Sequence, residues 1–163
     1  MISRITRFGR LRAGPRAGVH TARTGIAVRL DEGPGGVSKG RAWMVYDHDT
    51  MRVAAATTGS FVDWKGIAFD GSHGTHTSLT GEPHFINPAT PGWASPEGKW
   101  DDDARVIGKD GKRYGPLPGT WARFAGIYLH GNRAVIAADI GGVRVLDGVA
   151  DLGEQLQSRG SRQ

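Results

Sequence analysis

The chain contains no cysteine among its 163 residues. That absence excludes disulfides, thiolate metal sites, a cysteine nucleophile and covalent haem attachment within the chain. It leaves the cellular compartment open, because exported domains can also lack cysteine. Long apolar runs are missing too. No stretch approaches the ~18 residues of a helical membrane span, so no span is expected. None near the start has the hydrophobic length of a secretory signal. Strong amphipathic helical periodicity is also lacking. Acidic residues are absent from the first thirty positions, which hold seven arginines: Arg4, Arg7, Arg10, Arg12, Arg16, Arg23 and Arg29.

That asymmetry governs how the formal net charge of +5 is read. Beyond position 30, fourteen basic residues face all sixteen acids, a net of −2. A nucleic-acid-binding fold carries its basic patch on the folded body. Here the excess lies in one segment, so no specific nucleic-acid partner is expected. Residues 1–24, "MISRITRFGRLRAGPRAGVHTART", combine glycine and arginine with almost no periodic apolar pattern. They are expected to form a disordered leader that buries nothing.

What the rest contains is short strand patterns. "GIAVRLD" (Gly25–Asp31) alternates apolar Ile26, Val28 and Leu30 with Ala27, Arg29 and Asp31, the period of a half-buried strand. "RAWMVYD" (Arg41–Asp47), "MRVAAAT" (Met51–Thr57) and "FVDWKGIAF" (Phe61–Phe69) predict three more, joined by short turns. From Asp70 to about Pro118 the composition predicts a long irregular region, broken by a short strand at His84–Ile86. Within it, "GPLPG" (Gly115–Gly119) reads as an extended connector or as a partner ligand. "GIYLH" (Gly126–His130), "RAVIAADI" (Arg133–Ile140) and "VRVLD" (Val143–Asp147) predict a three-stranded antiparallel meander. The pairs Gly131-Asn132 and Gly141-Gly142 supply the positive φ that its two-residue turns need. Residues 148–163 are expected to form a helical turn and then fray. The fold class is therefore all-β, an antiparallel β-sandwich-like domain over residues 25–147 with a C-terminal three-stranded meander and a long irregular loop region.

In order along the chain, "GIAVRL", "YDHDTMRVAAATTGSFVDWKGIAFDG", "PGWA" and "YGPLPGTWARFAGIYLHGNRAVI" resemble the bacterial family named domain of unknown function 6797. The resemblance covers residues 25–147. It implies a module of large exported proteins, periplasmic or extracellular, that often carry c-type cytochrome domains. No activity is assigned to that module, so the resemblance carries over no catalytic residue. The chain departs from the pattern at Thr57, near which an aromatic is expected, and after Asp147, where more β structure is expected. With the arginine-rich start, these departures imply a fragment of a larger parent.

Three groups of residues are candidates for chemistry. His73, His76 and His84 lie in "FDGSHGTHTSLTGEPHF", with Asp70 and Glu82 beside them in sequence. Three imidazoles and a water make a sound zinc site, but a loop rich in Gly, Ser and Thr also uses histidine simply as a hydrogen-bonder. Trp93 and Trp100 fall in the irregular region, where indoles either contact a glycan or a partner or pack at the edge of the core. Asp101, Asp102, Asp103 and Asp110 form an acidic loop without the alternation of an EF-hand, as expected of solvated charges. No phosphate-binding glycine loop or nucleophile elbow is present. The sequence thus reads as a non-catalytic β module positioning neighbouring domains. The alternatives are a carbohydrate-binding module using Trp93 and Trp100, and a zinc enzyme built on His73, His76 and His84.

Overall fold

A computed structural model describes residues 5–8, 11–13, 20–22, 24–63, 77–87, 93, 116–153 and 156–162. Their strands, in chain order, are β1 (Ile5–Phe8), β2 (Leu11–Ala13), β3 (His20–Ala22), β4 (Gly25–Arg29), β5 (Ala42–Asp47), β6 (Arg52–Thr58), β7 (Val62–Asp63), β8 (Thr77–Leu79), β9 (Glu82–Ile86), β10 (Ala122–His130), β11 (Arg133–Ile140), β12 (Val143–Asp151) and β13 (Leu156–Arg162). One short 3₁₀ turn spans Val37–Lys39. The domain is all-β. No helix among the described residues is long and apolar enough to cross a membrane.

The strands form three sheets. A five-stranded sheet runs β1-β4-β5-β6-β9, the C-terminal sheet is a meander β10-β11-β12-β13, and a small third sheet runs β3-β2-β8-β7. All neighbours in the first two sheets are antiparallel. The five-stranded sheet is the middle layer. Ile26, Val28, Leu30, Met44, Tyr46 and Val53 project from one face and meet Ala134, Ile136, Ala138, Ile140 and Val149 of the C-terminal sheet in one apolar cluster. Ala27, Trp43, Val45 and Ala54 project from the other face and pack with Phe61, Val37 and Leu79. Trp43 stacks on Phe61 with ring centroids 5.2 Å apart, and its indole N–H donates to the Val37 carbonyl at 2.7 Å. Burial on both faces is why β5 has no exposed position at all. In the sequence, a half-buried strand was expected from alternation. The small residues Ala27 and Ala54 instead mark the side where another layer comes close.

The meander forms as its turn residues require. Gly141 and Gly142 adopt φ of 59° and 82°, the type I′ pattern, whereas Gly131 alone is left-handed at its turn, with φ 57°. Gly141 is constrained a second way. A Cβ there would lie 3.1 Å from the Trp121 indole nitrogen, and the Gly141 N–H already donates to the Trp121 carbonyl. The connector before β10 is docked rather than free: the N–H of Leu117, itself buried, donates to the Asp49 carbonyl at 2.7 Å.

Four expectations are revised. Residues 148–151 continue β12, and Leu156–Arg162 pairs with it as β13, instead of forming a helical turn and fraying. Burial of Val149 and Ala150, together with the Asn132 side-chain amide on the Asp151 carbonyl, holds the extension in place. The segment expected to be a disordered leader contributes β1, which pairs with β4, and Ile5 packs against the main core. Backbone ladders, which leave little trace in side-chain patterning, drive both additions. Of the strand expected over Phe61–Phe69, Val62–Asp63 is a strand and 64–69 lie outside the described residues. The strand expected at His84–Ile86 is present as β9, and the region otherwise expected to be irregular contains a further strand, β8. Pro83 is accommodated because β9 is an edge strand.

Two substitutions test this packing. Gly141→Val should destabilise the chain by about 2–4 kcal/mol, since it combines an unfavourable φ with a clash against Trp121; chemical denaturation measures it, and wild-type stability would refute the turn geometry. Thr57, opposite Trp43, is buried at 2% exposure and its hydroxyl has no hydrogen-bond partner. Thr57→Val, isosteric but apolar, should therefore stabilise by about 1 kcal/mol, seen as a higher denaturant midpoint with an unchanged slope.

Candidate functional site

Of the candidate residues from the sequence, His84 and Trp93 are among the described residues. His84 sits on the edge strand β9, where its Nε2 is 2.8 Å from the Thr58 hydroxyl. Its partner across the sheet thus explains its position without a metal. His73 and His76 lie outside the described residues, as do Trp100 and the acidic loop at Asp101, Asp102, Asp103 and Asp110. Among the described residues, no group of three or more acids and histidines has a metal-binding arrangement. Trp93 is partly buried against the main core, and its indole N–H donates to the Thr50 carbonyl at 2.7 Å.

That carbonyl belongs to a polar turn, "DHDT" at Asp47–Thr50, which joins β5 to β6. One Asp47 oxygen accepts the Asp49 N–H at 2.9 Å, and the other accepts the Thr50 hydroxyl at 2.8 Å. Asp49 reaches out of the turn and accepts the Thr24 N–H at 3.0 Å, fixing the entry to β4. Met51 closes the turn in the left-handed region, φ 54°, and its side chain is buried in the core. Aspartates suit this work because a short carboxylate reaches backbone N–H groups two residues away. These acids therefore act as turn-makers that hold Leu117, Trp93 and Thr24 to one point.

Next to the turn, charge is buried between the two large sheets. Asp147 points from β12 toward the five-stranded sheet, and its carboxylate accepts the Val53 N–H at 3.4 Å. Val53 adjoins the β-bulge between Val45 and Tyr46 in the β5–β6 pair. Burial pushes the Asp147 carboxyl above its usual range, against the opposing pull of the Val53 N–H and of Arg52. Burial also lowers Arg52, while Asp47 and Asp147 favour its charged form. The Tyr46 phenol is raised far above its ordinary value by burial, then by Asp147 and Asp47. At neutral pH it is a neutral donor and not a nucleophile or base.

Arg29, on the polar side of the alternation in Gly25–Asp31, is one of the most buried side chains among the described residues at 1% exposure. Its Nε and Nη2 both donate to one oxygen of Asp31, at 3.0 and 2.7 Å. Its Nη1 meets the carbonyls of Pro34, Gly35 and Gly36, each at 3.1 Å. The other Asp31 oxygen accepts the N–H groups of Arg41 and Ala42. Gly33 and Gly40 flank the guanidinium so closely that a Cβ at either would lie 2.6–2.7 Å from Arg29 atoms. The clamp therefore explains Gly33 and Gly40 and, through Asp31, the start of β5. Its signal in the sequence was the pair Arg29 and Asp31 on the same side of a strand as Ala27, a charge pair in an inward register.

The exposed counterpart is the outer face of the C-terminal sheet. Its register puts Arg123, Asp139 and Arg144 in one cross-strand row, Gly126, Ala137 and Leu146 in the next, then Tyr128, Val135 and Gly148, and last Arg133 beside His130. Tyr128 stands 59% exposed among them, and Arg133 is exposed at the far end. Asp139 is shared by two guanidiniums: Arg123 donates to it at 3.1 Å and Arg144 at 2.5 Å. Hydrogen bonds from Arg144 and then Arg123 hold the Asp139 carboxyl below its usual range.

The Asp31 carboxyl is raised by burial but more than compensated by Arg29 and the Arg41 and Ala42 N–H groups, and ends at about 2. A folded-state value below the unfolded one means its stabilisation is complete above the unfolded value and is lost as pH falls through the folded one. Acid unfolding should therefore draw on Asp31 between roughly pH 4 and 2. Asp31→Asn should remove that part of the acid transition and weaken the fold at pH 7, as followed by circular dichroism during an acid titration. A mutant with the wild-type acid profile and stability would show that the clamp contributes nothing.

No curated protein and no solved structure matches the chain. The family model described as domain of unknown function, DUF6797, matches residues 44–147, from within β5 through most of β12. The matched span takes in the polar turn, the connector and the first part of the meander, and on that match the chain belongs to the DUF6797 family.

Proposed function

We propose that this chain is a non-catalytic β module that positions or docks neighbouring domains of an exported multidomain protein. The observation that carries the reading is the outer face of the C-terminal sheet. A solvent-facing tyrosine stands among apolar and glycine positions with arginines at both ends, the composition of an interface centre and its rim. The buried charges support the same reading. Arg29, Asp31, Asp47, Asp49 and Asp147 each hold backbone groups in place, so their chemistry is architectural. Family resemblance adds the context of large exported proteins, often with cytochrome domains. The glycan reading gains little from Trp93, whose N–H is committed to Thr50.

The test is side-chain footprinting of the full-length parent protein against the isolated chain. Hydroxyl-radical labelling of Tyr128 and Leu146 should fall several-fold in the parent, where a neighbouring domain covers the face. Equal labelling in both forms would refute docking through this sheet.

A further inference from the structure

The charge and size of that outer face also specify what covers it, given that it is a docking face at all. Three arginines, Arg123, Arg133 and Arg144, stand on it against one aspartate, Asp139, a difference of two positive charges among its described residues. The ion-paired row does not neutralise itself, because one carboxylate serves two guanidiniums. Between that row and Arg133 lie Gly126, Ala137, Leu146, Val135 and Gly148, all at least partly buried, and Tyr128 rises above them into solvent. A partner can therefore approach close to the sheet while its acids reach the arginines at either end.

Size selects the kind of partner. The four strands β10–β13, spaced ~4.8 Å apart with about eight residues at ~3.4 Å each, present on the order of 500 Å². A stable complex between free proteins needs about 800 Å² on each side. This face is too small for that, but it suffices when a tether raises the effective concentration to about the millimolar range. A second copy of the chain is disfavoured for a separate reason. An isologous pair would set the same arginines against each other, and like charges at an interface are repulsive.

We infer that the outer face of β10–β12 docks an acidic protein surface tethered within the same polypeptide. Tyr128 is the central anchor, and Arg123, Arg144 and Arg133 meet the partner's carboxylates. Arg144 and Arg123 are already held in plane by Asp139, so less rotamer freedom is lost on binding.

The probe is an octaglutamate peptide added to the full chain, followed by amide chemical shifts. An oligogalacturonate of equal charge is the parallel arm. The peptide should shift the amides of Tyr128, Val135 and Gly148, with millimolar affinity that weakens as salt is raised. Arg123→Gln combined with Arg133→Glu, two exposed positions, should weaken binding by about tenfold, with the melting temperature read alongside to show that the variant is folded. Shifts confined to the arginines of residues 1–24 would overturn the inference, as nonspecific polyanion binding. A stronger response of Tyr128 to oligogalacturonate than to the peptide would overturn it in favour of a glycan ligand. Protection of Tyr128 in the parent without any peptide-induced shift would sink the acidic partner while leaving docking intact.

Discussion

The guanidinium of Arg29 lies inside a layer covered on both faces, and most of the local architecture follows from the need to satisfy it. A buried cation is tolerated only when its charge is paired and its N–H groups are all bonded. Asp31 supplies the charge, and three successive carbonyls of the Pro34–Gly36 loop accept from the remaining nitrogen. The loop is thereby wrapped around the strand it leaves. Asp31 passes the constraint on to the first N–H groups of β5, which sets where the second central strand begins. Gly33 and Gly40 follow as the residues that let the backbone pass the side chain.

A second centre, the Asp47–Thr50 turn, does for the sandwich what the clamp does for the central sheet. It gathers Thr24, Trp93 and Leu117 to one end of the molecule. Leu117 matters most among these, because it leads directly into β10 and so places the C-terminal sheet over the central one. Asp147 then bridges the sheets from the other side. The two acids differ in what burial does to them. Asp31 has enough donors to remain a strong acid, whereas Asp147 has one long backbone bond and a partly buried arginine, and its carboxyl is raised. Burial without full hydrogen bonding opposes ionisation, and full hydrogen bonding reverses that.

Among the described residues, the outer face of the meander lies apart from these two centres. Tyr128 gains little from its place on that face, where more than half of it meets water. The arginines around it make only surface ion pairs, which contribute little to stability. Residues that do little for the fold are those free to serve binding, and on this face they are gathered around one aromatic ring.

The strands of the central sheet and of the meander were legible from local signals: period-two alternation at Ile26, Val28 and Leu30, and glycine pairs at Gly131-Asn132 and Gly141-Gly142. Membership of an all-β family was legible in the order of its motifs. These properties reside in neighbouring residues, so the sequence by itself determined them. Tertiary structure alone decided the rest. It converted Arg29 from the polar side of a half-buried strand into a cation buried in the core, because burial depends on which layers meet and not on neighbours in the chain. It added β1 and β13 through backbone ladders that polar or irregular side chains do not announce. It also gave the Trp93 N–H to the carbonyl of Thr50, forty-three residues away, a contact that spacing along a chain cannot specify.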